Sequence, residues 1–526
     1  MKILKSIFFT TIIAALPYLT FAQKANWQNL DLKKDTVLGI STERAYNELL
    51  KGKKATTVII AVIDGGIDTG HEDLKAVIWT NPKEKPGNGI DDDHNGYIDD
   101  IHGWDFIGSA KGNVQYDNTE LTRLVRKHQT EFSGQDSAIA VQKDAPGYQA
   151  FQKEKVDYNQ QLKDAQSRLW NLHLFARVLD TITQKMGNPN PALSDFRQFV
   201  PGSIYQKRVV AIAISNLEKD PDYANFYKTS VDDALKHYQE IVDYHLNLDY
   251  DPRSVVGDDY NNDRQRNYGN NDVYGPDAHH GTHVAGIIGA VRDNGIGING
   301  IADHVLIMSV RVVPDGDERD KDVANAIRYA ADNGAKIINM SFGKAYSWDK
   351  KVVDDAVKYA MSKGLLMVHA AGNENYNRDT ITRYPTRVYE DGSGSAQAWI
   401  EVGASGWTDD NTIKASFSNY GKKTVDVFAP GEQIYSTIPG SKYAKYDGTS
   451  MAAPVVSGLA ALIWEYYPKL TAIQVKDIIM RSVYKVDHDV IFNDGLNMQD
   501  VPFADLCITG GIVNAYNALK LAASYK

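Results

Sequence analysis

The sequence predicts an α/β fold with three layers, in which a parallel sheet carries helices on both faces and an α-helical subdomain is inserted into the domain. Two observations indicate the sheet: apolar, β-branched segments recur along the chain, and helical segments lie between them. A third observation indicates the insertion, because residues 109–256 show helical periodicity and no segment typical of a buried strand.

The chain begins with a segment typical of a secretory signal peptide. A positively charged start precedes an apolar run over residues 7–19, and Thr20 and Ala22 supply the small residues of a signal-peptidase site. We therefore expect residues 1–22 to be removed and the domain 23–526 to be exported, either secreted or periplasmic. A transmembrane anchor is the alternative, but the run is short for a span and contains a proline.

Several later segments have the composition of strands that are buried on both faces. They are β-branched and apolar and tend to end in small or polar residues: 56–64, 305–313, 335–342, 364–372 and 425–431. Helices predicted at 320–333 and 350–363 lie between them, as expected of a parallel sheet. The ligand cleft of such a sheet lies beyond the carboxyl ends of its strands, where Asp64, Ser341 and Asn373 fall.

The segment 109–256 is predicted to be the inserted helical subdomain. Apolar residues repeat there at alternating spacings of four and three, which is typical of a helix packed along one seam: Tyr158, Leu162, Ala165, Leu169, Leu172, Ala176 and Leu179. A second amphipathic stretch covers residues 231–248, and an antiparallel packing of two or three helices would bury both seams. A helix on a membrane surface is the weaker alternative, because the polar face is not markedly basic.

Composition excludes several classes of function. The formal net charge of −10 argues against nucleic acid as a partner, because a phosphate backbone calls for a basic surface. Cys507 is the single cysteine, so no internal disulfide can form. Beyond the predicted signal segment, no run is long and apolar enough to span a membrane, so we expect no membrane span in the mature chain.

Three short motifs carry the residue types of a nucleophilic site. Asp64 lies in AVIDGGID, His280 in HHGTHVAG and Ser450 in YDGTSMAAPVVSG. A serine hydroxyl needs a neighbouring imidazole to accept its proton, and a buried carboxylate fixes the tautomer of that imidazole. Ser450 lies where an apolar helix begins, so its backbone N–H can stabilise an oxyanion. Each residue alone fits a turn, a loop or a helix cap, but their joint presence favours catalysis.

These motifs make the chain resemble the subtilases, the subtilisin-like serine endopeptidases, since VIDGGID, HGTHVAG, INMSFG, AAGNE and GTSMAAPVVSG occur in the expected order. By this resemblance Asp64 orients His280, which is the general base and acid. Ser450 is the nucleophile, and Asn373 completes the oxyanion hole. The segment Ser341-Phe342-Gly343 is expected to pair as an edge strand with a peptide substrate.

An acidic loop at residues 88–106 is predicted to hold a structural calcium ion, as some members of the family do. Its pattern matches the start of an EF-hand-like loop, in which alternate oxygen ligands converge and Gly96 permits the turn. The predicted ligands are Asp91, Asp93, Asn95, Tyr97 through its carbonyl, and Asp99 or Asp100. His102 replaces the expected Glu, so an EF-hand domain is excluded, and a polar surface turn is the alternative to a cation site.

Two classes of function are therefore in competition. The first is an exported serine endopeptidase that cleaves protein or peptide substrates through an acyl-enzyme. The second is a non-catalytic binding or scaffold protein on the same fold, whose helical insertion docks a partner. A peptide acyl transferase is a third interpretation, which the sequence cannot separate from hydrolysis. We also expect the insertion to narrow or extend the cleft, because it joins the chain between Asp64 and His280.

Overall fold

The structure is a computed structural model that describes residues 24–133, 137–493 and 498–525, so the predicted signal segment 1–22 lies outside the described residues. The strands are β1 (Val58–Asp64), β2 (Gly103–Asp105), β3 (Gly108–Ser109), β4 (Gly112–Asn113), β5 (Val305–Arg311), β6 (Ile337–Met340), β7 (Leu366–Ala370), β8 (Trp399–Ser405), β9 (Val427–Pro430), β10 (Ile434–Ile438), β11 (Lys442–Tyr446), β12 (Tyr484–Lys485), β13 (Asp489–Asn493), β14 (Met498–Pro502) and β15 (Gly511–Ile512). The α-helices are α1 (Leu32–Asp35), α2 (Thr42–Ala45), α3 (Glu120–Phe132), α4 (Ser137–Met186), α5 (Leu193–Gln198), α6 (Ile204–Leu217), α7 (Tyr223–Tyr227), α8 (Asp233–Glu240), α9 (Arg253–Val256), α10 (His279–Gly289), α11 (Asp320–Asp332), α12 (Lys350–Ser362), α13 (Thr449–Tyr466), α14 (Ala472–Arg481) and α15 (Ala515–Ala522).

Nine of the described strands form one sheet in the order β12-β15-β9-β8-β7-β6-β1-β5-β2. All neighbours are parallel except β12, which runs antiparallel to β15. Parallel strands place their carboxyl ends at one edge, and the register pairs Asp64, the last residue of β1, with Arg311, the last residue of β5. The cleft-forming loops therefore meet at that edge.

Strand β1 is buried on both faces because its side chains alternate between two apolar clusters. Ile60 and Val62 belong to the cluster that includes α10 and α13. Ala61 and Ile63 belong to the cluster on the opposite face, with α11 and α12. Two helical layers thus cover one parallel sheet, which confirms the predicted three-layer α/β class.

Strand β8 lies in the middle of the sheet, although the sequence analysis predicted no strand there. All seven of its residues are buried, but Glu401 interrupts the apolar pattern by which buried strands were recognised. The Glu401 carboxylate lies 3.0 Å from Nδ1 of His369 and 3.3 Å from the guanidinium of Arg378. A charged residue inside a core strand is tolerated because these partners replace water.

The predicted helical insertion is present as α3 to α9. The apolar seam of α4 packs into two hydrophobic clusters rather than one. Tyr158 and Ala165 pack with residues of α3. Ala176 and Leu179, further along α4, pack with residues of α6 and α7. The long helix therefore links two small cores. In the described part of the chain, no helix is long and apolar enough to cross a membrane.

Candidate active site

The structure brings the carboxylate of Asp64 and the imidazole of His280 together at the carboxyl edge of the sheet. Asp64 is 2% exposed, and His280 lies in the first turn of α10. Nδ1 of His280 lies 2.8 and 3.0 Å from the two carboxylate oxygens. Because an ionised carboxylate only accepts hydrogen bonds, Nδ1 carries the proton and Nε2 is left unprotonated in the neutral ring.

Two neighbouring imidazoles of α10 have opposite electrostatic environments. Burial lowers the pKa of His280, but the charge of Asp64 and its hydrogen bond outweigh this, so the pKa is raised above 6.5. Burial lowers the pKa of His283 to about 3. Nε2 of His283 lies 3.1 Å from the carbonyl oxygen of Ala444, and its ring stacks on Tyr446. His283 is therefore a packed, neutral residue.

The close approach of α10 to β1 requires a glycine after His280. A side-chain carbon on Gly281 would lie 2.2 Å from the carbonyl oxygen of Gly66 and 3.2 Å from Cβ of Asp64. Real side chains do not come that close to a backbone oxygen. Gly281 therefore sets the distance at which the imidazole and the carboxylate meet.

Ser450 lies in the first turn of α13, where backbone N–H groups have no partner within the helix. Its hydroxyl donates to the carbonyl oxygen of Ser341 at 3.1 Å and is not hydrogen-bonded to His280 in this structure. The hydroxyl of Ser341 in turn donates to the carbonyl oxygen of Ser450 at 3.0 Å.

The carboxamide of Asn373 is oriented by Thr449, a residue that the sequence analysis did not single out. Oδ1 of Asn373 accepts from the backbone N–H and from the hydroxyl of Thr449, both at 2.9 Å. Because that N–H can only donate, the oxygen faces Thr449 and Nδ2 faces away. A carbon built on Gly448 would lie 3.6 Å from Nδ2 of Asn373 and 3.5 Å from N of Ser450. Two N–H donors therefore border one space, as an oxyanion hole requires.

Two pockets meet along the predicted substrate segment Ser341-Phe342-Gly343. The smaller, of about 210 Å³, is also lined by Asn373 and Ser450. The larger, of about 500 Å³, is also lined by Asp64 and His280. The segment thus separates the predicted nucleophile and oxyanion donors from the cleft beside the predicted base.

Two guanidinium groups, those of Arg378 and Arg383, line the smaller pocket. Each is matched by a carboxylate: Arg383 lies 2.8 Å from Glu374, and Arg378 lies 3.3 Å from Glu401. The charges in this pocket are therefore balanced. No motif pointed to these arginines, because their position depends on how the loop after β7 folds back over the sheet.

The inserted segment reaches the larger pocket at one residue. Gln115, which precedes α3, lines it directly. The pocket wall at Glu318 is tied to α3 by a buried hydrogen bond, in which Arg123 donates to the carbonyl oxygen of Glu318 at 3.2 Å. Arg319 pairs with Asp117 at 2.7 Å. The helical segment and the cleft wall are thus one connected structure.

The acidic loop brings Asp91 and Asp93 together with Glu84, which the sequence analysis missed. The carboxylate oxygens of the three residues lie within 4.8 Å of one another. Glu84 is 7% exposed, and its Oε2 has no hydrogen-bond partner among the described residues. Converging carboxylates with an unpaired buried oxygen fit a hard cation such as Ca²⁺. Glu84 lies outside the loop pattern, so no spacing rule could identify it.

The remaining predicted ligands of the loop make other contacts. Oδ1 of Asn95 accepts from the backbone N–H of Tyr97 at 2.8 Å, and the ring of Tyr97 packs against Trp104. The carboxylate of Asp99 accepts from the three backbone N–H groups of residues 87–89, at 2.8 to 3.2 Å. Asp99 therefore closes a turn and does not belong to the group that contains Glu84.

The structure is thus an α/β domain that carries an aspartate, a histidine and a serine, Asp64, His280 and Ser450, at one edge of its sheet. A family model described as the subtilase family matches residues 55–501, and the chain belongs to that family. This confirms the resemblance inferred from the motifs.

Curated relatives of the chain include a serine proteinase, a thermitase and a subtilisin by name. It is 45% identical over 185 residues to a thermophilic serine proteinase of Bacillus sp. (strain AK1), which is 35% of this chain and 42% of the relative. It is 44% identical over 185 residues to thermitase of Thermoactinomyces vulgaris, covering 60% of that protein. Subtilisin BL of Lederbergia lenta is 34% identical over 218 residues, which is 41% of this chain and 74% of the relative. The chain spans less than two thirds of the length of the first two relatives.

Proposed function

We propose that the protein is an exported serine endopeptidase that hydrolyses peptide bonds through an acyl-enzyme on Ser450. The observation that carries the proposal is the hydrogen bond between Asp64 and His280 in the larger pocket, which adjoins the smaller pocket of Ser450 and Asn373 along Ser341-Phe342-Gly343. Membership of the subtilase family and the serine proteinases among its relatives support it.

The proposed reaction uses the residues as follows. A peptide backbone pairs with Ser341-Phe342-Gly343, and the hydroxyl of Ser450 turns to Nε2 of His280. The imidazole takes the proton as the oxygen attacks the carbonyl carbon, and Asp64 stabilises the imidazolium. The N–H groups of Asn373 and Ser450 receive the oxyanion. His280 then protonates the leaving amine, and water repeats the sequence to release the acid.

Labelling with a fluorophosphonate tests this proposal. The wild-type protein should react and should cleave peptides, and Ser450→Ala should lose both properties. Ser393→Ala, which changes an exposed serine, is the matched control and should keep both. A folded protein that is neither labelled nor active would instead support the scaffold function. A labelled protein that mainly joins peptides would support the acyl transferase.

We also propose that Glu84, Asp91 and Asp93 hold a structural Ca²⁺, with Asn95 and the carbonyl of Tyr97 as further ligands of the loop. The unpaired buried oxygen of Glu84 supports this site. A cation there would relieve the repulsion between neighbouring carboxylates and would hold the loop after β1 rigid. Isothermal titration of the chelator-treated protein with Ca²⁺ measures the binding.

For the organisation of the chain, we propose that residues 1–22 direct export and that the peptidase domain, 23–526, is interrupted by the helical insertion 109–256. The helices α3 to α9 within that range support the insertion. Sequencing the amino terminus of the exported protein tests the first point, and Gln23 should be its first residue.

A further inference from the structure

The larger pocket next to His280 carries an excess of acid, and we call it the acidic cleft. Outside the predicted catalytic residues, its carboxylates are those of Asp277, Asp315 and Glu318. The side chains of Asp277 and Asp315 are 62% and 48% exposed, whereas Glu318 is 2% exposed. Two carboxylates therefore face solvent at the cleft, and one is buried in its wall.

One oxygen of the buried Glu318 carboxyl group lacks a hydrogen-bond donor. Its Oε1 has no hydrogen-bond partner within the described part of the chain. Burial, with the neighbouring charge of Asp317, raises the pKa of Glu318 to about 8 against the opposing charge of Lys344. The ammonium of Lys344 donates to the backbone carbonyl of Glu318 at 2.7 Å, while its charge is shared by Glu120 and Asp320. A buried carboxyl oxygen without a donor is a group that a proton, a water or a ligand cation can satisfy.

The basic groups of the cleft do not supply that ligand. The guanidinium of Arg311 is almost fully buried and donates to Asp105 at 2.8 Å. Imidazoles lie 2.9 Å from Asp277 and 3.2 Å from Asp315, and they neutralise these carboxylates only when protonated. The cleft thus remains acidic, in contrast to the pocket beside Ser450, where each arginine is matched by a carboxylate.

We propose that the acidic cleft binds a basic side chain, lysine or arginine, of the peptide substrate close to the scissile bond. The proposal rests on the proposed peptidase function and adds the class of substrate. The cleft borders Ser341-Phe342-Gly343, and alternate side chains of an extended peptide paired there would point to one side. An ammonium or guanidinium entering the cleft would meet the exposed carboxylate of Asp315 and the carboxyl group of Glu318, which releases its proton when it pairs with the cation.

A set of fluorogenic peptides tests the proposal. Each of the four positions on either side of the scissile bond is varied among Lys, Gln and Glu, and kcat/KM is measured at low ionic strength. At one position on the side that pairs with the segment 341–343, Lys should exceed Gln by about tenfold or more, with Glu lowest. Added salt should reduce the ratio, since Asp277 and Asp315 are exposed.

Substitutions in the acidic cleft identify the residues that cause the preference for Lys over Gln. Glu318→Gln should reduce the Lys-to-Gln ratio at that position to about twofold or less, and Asp315→Asn should lower it in part. Glu218→Gln, which removes an exposed carboxylate of the insertion, is the matched control and should leave the ratio as in the wild type. Fluorophosphonate labelling shows whether each variant is folded. If Glu318→Gln is not folded, the Lys-to-Gln ratio of Asp315→Asn tests the proposal.

The outcomes separate the two proposals. Efficient cleavage of neutral peptides with a Lys-to-Gln ratio below about twofold at every position would overturn the basic-substrate proposal and leave the peptidase function standing. A preserved ratio in Glu318→Gln and Asp315→Asn would also overturn it. Absence of both labelling and cleavage in the folded protein would overturn the peptidase function, and this proposal with it.

Discussion

Replacing Lys344 with Met tests whether the buried ion network beside the cleft stabilises the fold. Lys344 follows the substrate segment directly and is 2% exposed. Its ammonium contacts Glu120, lies 2.7 Å from Asp320 and lies 2.7 Å from the carbonyl oxygen of Glu318. Methionine has a similar length and removes the charge, so two buried carboxylates lose a shared cation.

The expected loss in the free energy of unfolding depends on the hydrogen bonds and ion pairs that each carboxylate keeps after the substitution. Removing one partner of a buried ion pair typically costs about 3–5 kcal/mol, because the remaining charge is left desolvated. Glu120 retains two contacts of 3.0 Å with Arg123, and Asp320 retains hydrogen bonds from Ser347 and Asp349. We therefore expect the lower end of this range, about 3 kcal/mol.

Chemical and thermal unfolding of variants that also carry Ser450→Ala, which prevents autolysis, measure this loss. Lys351→Met is the matched control, because Lys351 pairs with Asp355 on the surface, where solvent screens the charges, and its loss should change the stability little. If Lys344→Met is no more destabilising than Lys351→Met, the ion network does not stabilise the fold and the reasoning fails.

The pH dependence gives an independent measure. Burial opposes ionisation of Glu120, but Arg123 and Lys344 outweigh it and lower the pKa of Glu120 from 4.5 to about 2. A folded pKa below the unfolded one stabilises the protein above about pH 4.5, and this contribution is lost as the pH falls towards 2. Without Lys344 the depression is smaller, so Lys344→Met should lose less stability over that interval than the wild type does.

Three further substitutions test the site. His280 acts as a base only when unprotonated, so activity should fall as the pH drops through its raised pKa. Asp64→Asn should lower kcat/KM by several orders of magnitude, about 10⁴, and should move that acid limb to lower pH; an unmoved limb would show that Asp64 does not set the pKa. Asn373→Ala should lower kcat by about 10²–10³ with KM little changed, the loss known for an oxyanion-hole amide in subtilisin itself. An unaltered kcat would remove Asn373 from the proposed oxyanion hole. Glu84→Gln should lower the melting temperature in calcium and match the wild type in EDTA, whereas Glu218→Gln should change neither. A melting temperature that Glu84→Gln leaves unaltered in calcium would count against the cation site.

The sheet could be predicted from the sequence wherever a strand is apolar throughout. Residues 56–64 were predicted and Val58–Asp64 was found, because a strand covered on both faces reads as a nearly continuous apolar, β-branched run. Strand β8 was missed because Glu401 breaks this rule, and its partners, His369 and Arg378, lie far from it in the sequence. Burial of a charge depends on tertiary contacts, which composition does not record.

The residues of the site also divide into those that a local motif predicts and those whose contacts depend on the tertiary structure. Asp64, His280 and Ser450 lie in local motifs, so their place at one edge of the sheet could be expected from the motifs and from the geometry of a parallel sheet. Thr449, which orients Asn373, lies beside Ser450 in the motif, but its contact with Asn373 depends on the approach of two distant loops. Glu84 could not be predicted as a member of the acidic group for a similar reason, because its position depends on how the chain before the loop folds back.

The attachment of the insertion explains how the acidic cleft can hold an unpaired carboxyl group. Arg123 of α3 donates to the backbone carbonyl oxygens of Asp317 and Glu318, and Arg319 is paired with Asp117. These bonds fix the chain on both sides of Glu318, so its side chain cannot move into solvent without breaking buried ion pairs. The bonds between the insertion and the cleft wall thus hold the side chain of Glu318 in position before substrate binds. A substrate cation therefore meets a carboxyl group that is already in place. Deleting the insertion would release this wall and leave Arg319 and Lys344 with fewer partners, so single substitutions at Glu318 and Asp315 separate substrate selection from folding where a deletion cannot.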